Sequence, residues 1–151
     1  MDPIQRLRDD HIRIEESLKR LEALLRTVEE AEPQISSLLK ELRGEIDGHT
    51  YREDCLFPML ASRVGITGGP VQAVEHDHDQ VEENLSAAEA AARTLARGRA
   101  AEDGVVAVGH TFVDELRAHF AREEAHLFPL ADKLLNMSEL RAVAQQMEEE
   151  Q

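Results

Sequence analysis

Four stretches of this chain repeat apolar residues every three or four positions, and in each a histidine takes a place that the pattern gives to leucine or isoleucine. The first reads Ile4, Leu7, His11, Ile14, Leu18, Leu21, Leu25 and Val28, and the second Leu39, Leu42, Ile46, His49, Glu53, Leu56 and Leu60. The third is Val74, His78, Val81, Leu85, Ala88, Ala92 and Leu95, and the fourth Phe112, Leu116, His119, Glu123, Leu130 and Leu134. This spacing lays side chains along one face of an α-helix, so the four histidines point toward the core. Glu53 and Glu123 each follow a histidine by four residues, on the same face and ~6 Å further along the axis. A buried charged carboxylate costs about several kcal/mol unless it is paired or metal-bound. Polar intrusions at matching depth on four helices call for a function.

The punctuation between stretches sets the architecture. Asp2-Pro3 predicts an N-cap and first-turn proline, and Ala31-Glu32-Pro33 ends one helix and begins the next. Ser62 to Gly69, with its glycines, predicts a loop, Pro70 opens the third helix, and Gly98 to Gly104 predicts the next break. Ser138 to Met147 is amphipathic and reads either as a short helix packed on the others or as a tail. With aromatics at 3% and Ala, Leu, Glu and Arg abundant, helix is favoured over sheet. Four long helices with short connections predict an all-α fold, an antiparallel up-down-up-down four-helix bundle over residues 1–137. A C-terminal helix or tail follows over 138–151.

The chain also repeats itself. Asp10-His11-Ile12-Arg13-Ile14-Glu15-Glu16-Ser17-Leu18 lines up with Asp77-His78-Asp79-Gln80-Val81-Glu82-Glu83-Asn84-Leu85, an offset of 67 residues. His49-x3-Glu53 lines up with His119-x3-Glu123 at an offset of 70, and Leu56-Phe57-Pro58 with Leu127-Phe128-Pro129 one residue later relative to the Glu. Each half is therefore a helix pair with one histidine on its first helix and His-x3-Glu on its second. Two such halves closing a bundle bring the inward polar residues to one level.

Four imidazoles and two carboxylates exceed what a tetrahedral zinc ion takes, and they are too rich in nitrogen for calcium or magnesium. Mixed histidine and carboxylate ligation suits iron, with manganese as the alternative. Two ions bridged by Glu53 and Glu123, with two histidines apiece, would each keep room for an exogenous ligand such as O2, peroxide or NO.

From about residue 1 to 137 the chain resembles the hemerythrin-like family, the HHE cation-binding domain. The matching marks are Asp10-His11, His49-x3-Glu53 with Leu56-Phe57-Pro58, Glu75-His76-Asp77-His78, and His119-x3-Glu123-Glu124 with Leu127-Phe128-Pro129. The resemblance implies an antiparallel four-helix bundle around a non-haem di-iron site that binds O2 or related small molecules. Family members serve in oxygen binding and sensing, iron homeostasis, nitrosative-stress repair and peroxide removal, and likeness of fold does not choose among these. The chain departs from oxygen-carrying hemerythrins, which use five histidines, a His-x3-His pair on the third helix and an Asp bridge. Here Glu82 follows His78 at four residues, and Glu123 is the second bridge. His126, seven residues after His119, is the candidate fifth histidine, with His76 as the alternative, about 200° around the helix from His78.

The remaining polar residues have plainer roles. His110 lies roughly 13 Å along the helix from His119 and reads as structural. Glu15 and Glu82 repeat the His-x3-Glu spacing but read as borders of the solvated face. Phe57-Pro58 and Phe128-Pro129 read as kinks or apolar plugs, Cys55 as a small filler, and Tyr51 carries no role. A net charge of −14 argues against nucleic acid as a partner. The absence of a signal-like N-terminus or a long apolar run predicts a cytoplasmic protein with no membrane span, a monomer or homodimer. Its expected work is sensing, scavenging or iron handling with O2, peroxide or NO; catalase-like peroxide disproportionation or ferrous oxidation would need no protein nucleophile. The alternative is a metal-dependent regulatory bundle without turnover.

Overall fold

Asp2 starts the first helix by accepting hydrogen bonds from the Ile4 and Gln5 amides, at 2.9 and 3.3 Å. Pro3, whose missing N–H is not needed at that position, opens the first turn. The computed structural model describes residues 1–64 and 69–149, which are helical almost throughout, with no strand among them. Helix α1 spans Pro3–Leu25, and a 3-10 turn at Val28–Glu30 keeps Val28 buried after the α-helix has ended. Helix α2 spans Glu32–Val64, so Ser62, Arg63 and Val64 are helical rather than loop. The rest of that expected loop, residues 65–68, lies outside the described residues, and α3 spans Gly69–Ala92.

The next break comes earlier than the glycine pair suggests. A 3-10 turn at Leu95–Arg97 leads to Gly98, whose φ of 113° is open to glycine and strained for any other residue. Helix α4, Arg99–Arg122, begins directly after it and runs through Gly104. The helix formers Arg99, Ala100, Ala101 and Glu102 outweigh one interior glycine, which costs about 1 kcal/mol. A π-turn at Glu123–Leu127 then joins α4 to α5, Phe128–Leu134. Asn136 and Glu139 form a reciprocal capping box that starts α6, Met137–Glu148. The C-terminal stretch is thus a helix. It is held by Val143 and Met147 in the core and by Arg63, which donates to Glu139 at 2.7 and 2.8 Å.

Helix α1 packs on α2 and α4, and α3 packs on the same two. Two apolar clusters result. One runs from Ile14 and Leu18 through Leu42 and Leu85 to Phe112 and Leu116. The other gathers Ile4, Leu7, Leu56, Leu60, Leu127 and Phe128 with α6. Burying a leucine or phenylalanine of this kind stabilises the fold by roughly 1.5–3 kcal/mol. Between the clusters lies a buried polar layer: Asp10, His11, His49, Arg52, Glu53, His119 and Glu123. No helix among the described residues is long and apolar enough to cross a membrane.

Candidate metal centre

The face of α2 that carries Leu42 and Ile46 brings His49, Arg52, Glu53 and Leu56 to the interior in successive turns, and α4 does the same with Leu116, His119 and Glu123. Glu53 and Glu123 are both 0% exposed. His11 Nε2 lies 2.8 Å from Glu123 Oε1, and His49 Nε2 lies 3.5 Å from that oxygen and 3.4 Å from Glu53 Oε1. His78 Nε2 lies 2.8 Å from Glu53 Oε1, and His119 Nε2 lies 3.4 Å from Glu123 Oε2. All four imidazoles therefore aim the same nitrogen at the two carboxylates. The donor atoms form two groups, each within 4.8 Å: Glu53, His78, His119 and Glu123, and His11, His49 and Glu123. Glu123 belongs to both, as a bridging carboxylate would.

The opposite ring nitrogens of His49 and His119 are held by a layer that spacing along the chain did not bring out. His49 Nδ1 lies 3.0 Å from Asp10 Oδ2, and Arg52 grips the same carboxylate with two bonds of 2.8 and 2.9 Å. In the other half His119 Nδ1 lies 3.2 Å from Asp77 Oδ2, which accepts from Arg122 Nε at 2.9 Å. A histidine whose Nδ1–H donates to a carboxylate presents its Nε2 lone pair to a cation in a fixed orientation. The signal for this layer lies in the repeat: Asp10 and Asp77 keep the 67-residue offset, and Arg52 and Arg122 keep the 70-residue offset.

Burial pulls the His49 imidazolium toward its neutral form, yet the charge of Glu53 and hydrogen bonds with Asp10, Glu123 and Glu53 hold its pKa well above the ordinary histidine value. Burial acts on His119 the same way, and Glu123 outweighs it. For Glu123 burial favours the protonated acid, but hydrogen bonds with His11, His119 and His49 hold its pKa well below the usual range. Asp10 and Asp77 are likewise lowered against their burial, by His49 with Arg52 and by Arg122 with His119. The layer thus demands positive charge at its centre, supplied by imidazole protons or by cations in their place. Glu53 Oε2, Glu123 Oε2 and His11 Nδ1 are buried with no hydrogen-bond partner of good geometry, which leaves carboxylate lone pairs free for a cation. Imidazole and carboxylate donors suit iron or manganese, so the residues fit the group that the sequence implies.

The structure gathers His11, His49, Glu53, His78, His119 and Glu123 and leaves His126 outside both groups, exposed at the surface. The π-turn is the reason for this placement. Phe128 N–H bonds to the Glu123 carbonyl five residues back, so the turn holds an extra residue and rotates the residues after Glu123 off the α-helical register. The extra residue is the same one by which Leu127-Phe128-Pro129 trails its counterpart in the first half. His76 and His110 are also exposed. Glu15 is held by Arg117 at 2.7 Å and Glu82 by Arg43 at 3.0 Å, on the outer faces. Phe57 and Phe128 do cap the layer, with ring centroids 5.8 Å from His78 and 5.2 Å from His11. Cys55 is buried beside Phe57, and Tyr51 points outward, its hydroxyl 3.5 Å from the Gln146 carbonyl.

Comparison with known proteins bears on this geometry. The hemerythrin HHE cation-binding domain matches residues 2–131. An iron-sulfur cluster repair protein, YtfE, from Dickeya chrysanthemi (strain Ech1591) is 27% identical over 106 residues, covering 64% of this chain and 46% of its own length. The chain thus spans less than half the length of that curated relative. No solved structure gives a significant match.

Proposed function

The chain belongs to the hemerythrin HHE cation-binding family, and from that premise we propose that it holds two iron ions in an antiparallel up-down-up-down bundle and presents them to O2, peroxide or NO. The observation that carries this reading is the convergence of four imidazole Nε2 atoms on two fully buried carboxylates, one of them shared. His11 and His49 would hold one ion, His78 and His119 the other, with Glu53 and Glu123 between them. Bound iron would supply one-electron redox chemistry and open positions for a small ligand. The protein's part is to fix that donor set. Asp10 and Asp77 orient His49 and His119, Arg52 and Arg122 anchor those aspartates, and Phe57 and Phe128 exclude water from two further imidazoles. The name of the relative, an iron-sulfur cluster repair protein, favours iron over manganese.

Sensing, scavenging and iron handling in the cytoplasm all draw on this centre. The test is metal content per chain with an optical spectrum, on protein loaded anaerobically with ferrous iron and then exposed to air, peroxide or NO. Near two irons per chain, with near-ultraviolet bands that respond to one of these, is the expected result. One metal or none, with no spectral response, would overturn the di-iron reading.

A further inference from the structure

His49 and His119 each have an aspartate at Nδ1, and His11 does not. Its Nδ1 is buried with no hydrogen-bond partner, while its Nε2 lies 2.8 Å from Glu123. The carboxylate beside that nitrogen is Glu124, with Oε2 at 3.5 Å, just beyond an ordinary N–H···O bond. Glu124 belongs to the π-turn, and its side chain is partly exposed and so able to move. Arg8, one turn before His11 on α1, brackets it. Arg8 Nε lies 3.6 Å from Glu124 Oε1, Nη2 donates to Asp132 of α5 at 3.2 Å, and the guanidinium sits over the Phe128 ring at 5.6 Å.

Phe120 stacks on His11 with centroids 3.9 Å apart and planes at 17°. Such a neighbour fixes the plane of the imidazole but not its edge. A half-turn about the Cβ–Cγ bond keeps the plane and exchanges Nε2 with Cε1, so only a polar partner at Nδ1 tells the two orientations apart. The repeat shows that this partner is particular to one half. The 67-residue offset takes Arg8 to Glu75, and the 70-residue offset takes Glu124 back to Asp54, so the basic residue of the pair becomes acidic beside His78.

We propose that Glu124 is a positioning residue for His11, set in place by Arg8, and that it acts when a cation holds His11 Nε2. The proposal rests on the two-metal reading above. A neutral ring that donates from Nε2 to Glu123 leaves Nδ1 as a bare lone pair facing the Glu124 oxygen, and no bond forms between them. The same ring with a cation at Nε2 carries its proton at Nδ1. That N–H points at Glu124, which closes the remaining distance as the acceptor. Arg8 keeps the carboxylate within reach, and α1 becomes tied to the π-turn and α5 through one hydrogen bond.

The test uses the full chain loaded anaerobically with ferrous iron, with iron per chain and affinity read by competition with a chromophoric chelator. Proton NMR follows the exchangeable ring N–H signals shifted by the iron, and melting is measured with and without the metal. Glu124→Ala should weaken binding of at least one of the two ions by about tenfold and speed solvent exchange of one ring N–H by about as much. Its melting temperature without metal should stay within about one degree of the parent, because an exposed ion pair contributes little. Glu124→Gln keeps a neutral acceptor and should lose less affinity. Arg8→Met should lose less again, and should add nothing once Glu124 is alanine. Glu16→Ala removes the same charge from the same groove and should leave affinity within about twofold. Glu124→Ala with parental affinity and unchanged N–H exchange would overturn the proposal. So would equal destabilisation of the chain with and without metal, which a purely structural role predicts, or an equal loss in Glu16→Ala, which net charge alone predicts. A parent chain that takes up no iron would instead overturn the metal reading itself, and that failure shows before any variant is compared.

Discussion

Asp10 shows how much a residue outside the donor set can decide. Its carboxylate is buried between His49 and Arg52, accepts from both and holds the His49 ring in one orientation. Asp10→Asn keeps the shape but weakens the acceptor, and leaves Arg52 buried against a neutral amide. Metal affinity, read by competition with a chromophoric chelator, should fall about 10–100-fold, the usual effect of losing such a partner. Asp77→Asn should act in the same direction through His119, and less strongly, because Asp77 and Arg122 are more exposed. Glu123→Ala removes the carboxylate common to both donor groups and should abolish uptake at both, whereas His126→Ala should leave metal content unchanged. Loss of metal in His126→Ala would return that residue to the donor set.

At the scale of elements, two glycines six residues apart behave oppositely. Gly98 sits at φ 113°, ψ −167°, as the residue before α4, and Gly98→Ala should cost about 1–3 kcal/mol. Gly104 lies inside α4 with open space where a Cβ would go, and Gly104→Ala should stabilise the chain by about 0.5–1 kcal/mol. Urea midpoints of the two variants, moving in opposite directions, check this. The π-turn is the other element with a readable origin. One extra residue in the second copy of the repeat becomes one extra residue in a helical turn, so Leu127 and Phe128 still reach the core while His126 does not.

Across the whole molecule, the polar layer sits between two apolar clusters and is stable only if its charges are compensated. A metal that binds the folded arrangement and not the unfolded chain adds to stability, about 2.7 kcal/mol at a hundredfold excess over the dissociation constant. Stripping metal with a chelator should lower the melting temperature by several degrees, and an unchanged melt would count against a structural contribution of the site. Acid sensitivity has a separate source at the surface. Hydrogen bonds from Arg117 and Arg43 hold the Glu22 and Glu89 carboxyls below their usual range. A lowered folded-state pKa stabilises above the unfolded value of about 4.5, and that stability disappears as pH falls through the folded value. Partial exposure limits each clamp to about 1 kcal/mol or less. Arg43→Met and Arg117→Met should therefore lower the melting temperature at pH 7, and the gap to the parent should shrink as pH falls below the carboxyls' ordinary value.

Helix content, the inward direction of His11, His49, His78 and His119, the pairing of Glu53 and Glu123 with two of them, and the twofold repeat are all legible in the amino-acid order. Each depends only on the angle between residues around a single helix axis, and spacing along the chain sets that angle. The layer that orients the imidazoles depends on distances between helices, which only the packing of α1 to α4 determines. Asp10 meets His49 from another helix, Asp77 meets His119 likewise, and Phe120 of α4 stacks on His11 of α1. His126 marks the boundary between the two. Its spacing from His119 places it inward on an ideal helix, and a one-residue π-turn, favoured because it seats Leu127 and Phe128 in the core, turns it to the surface.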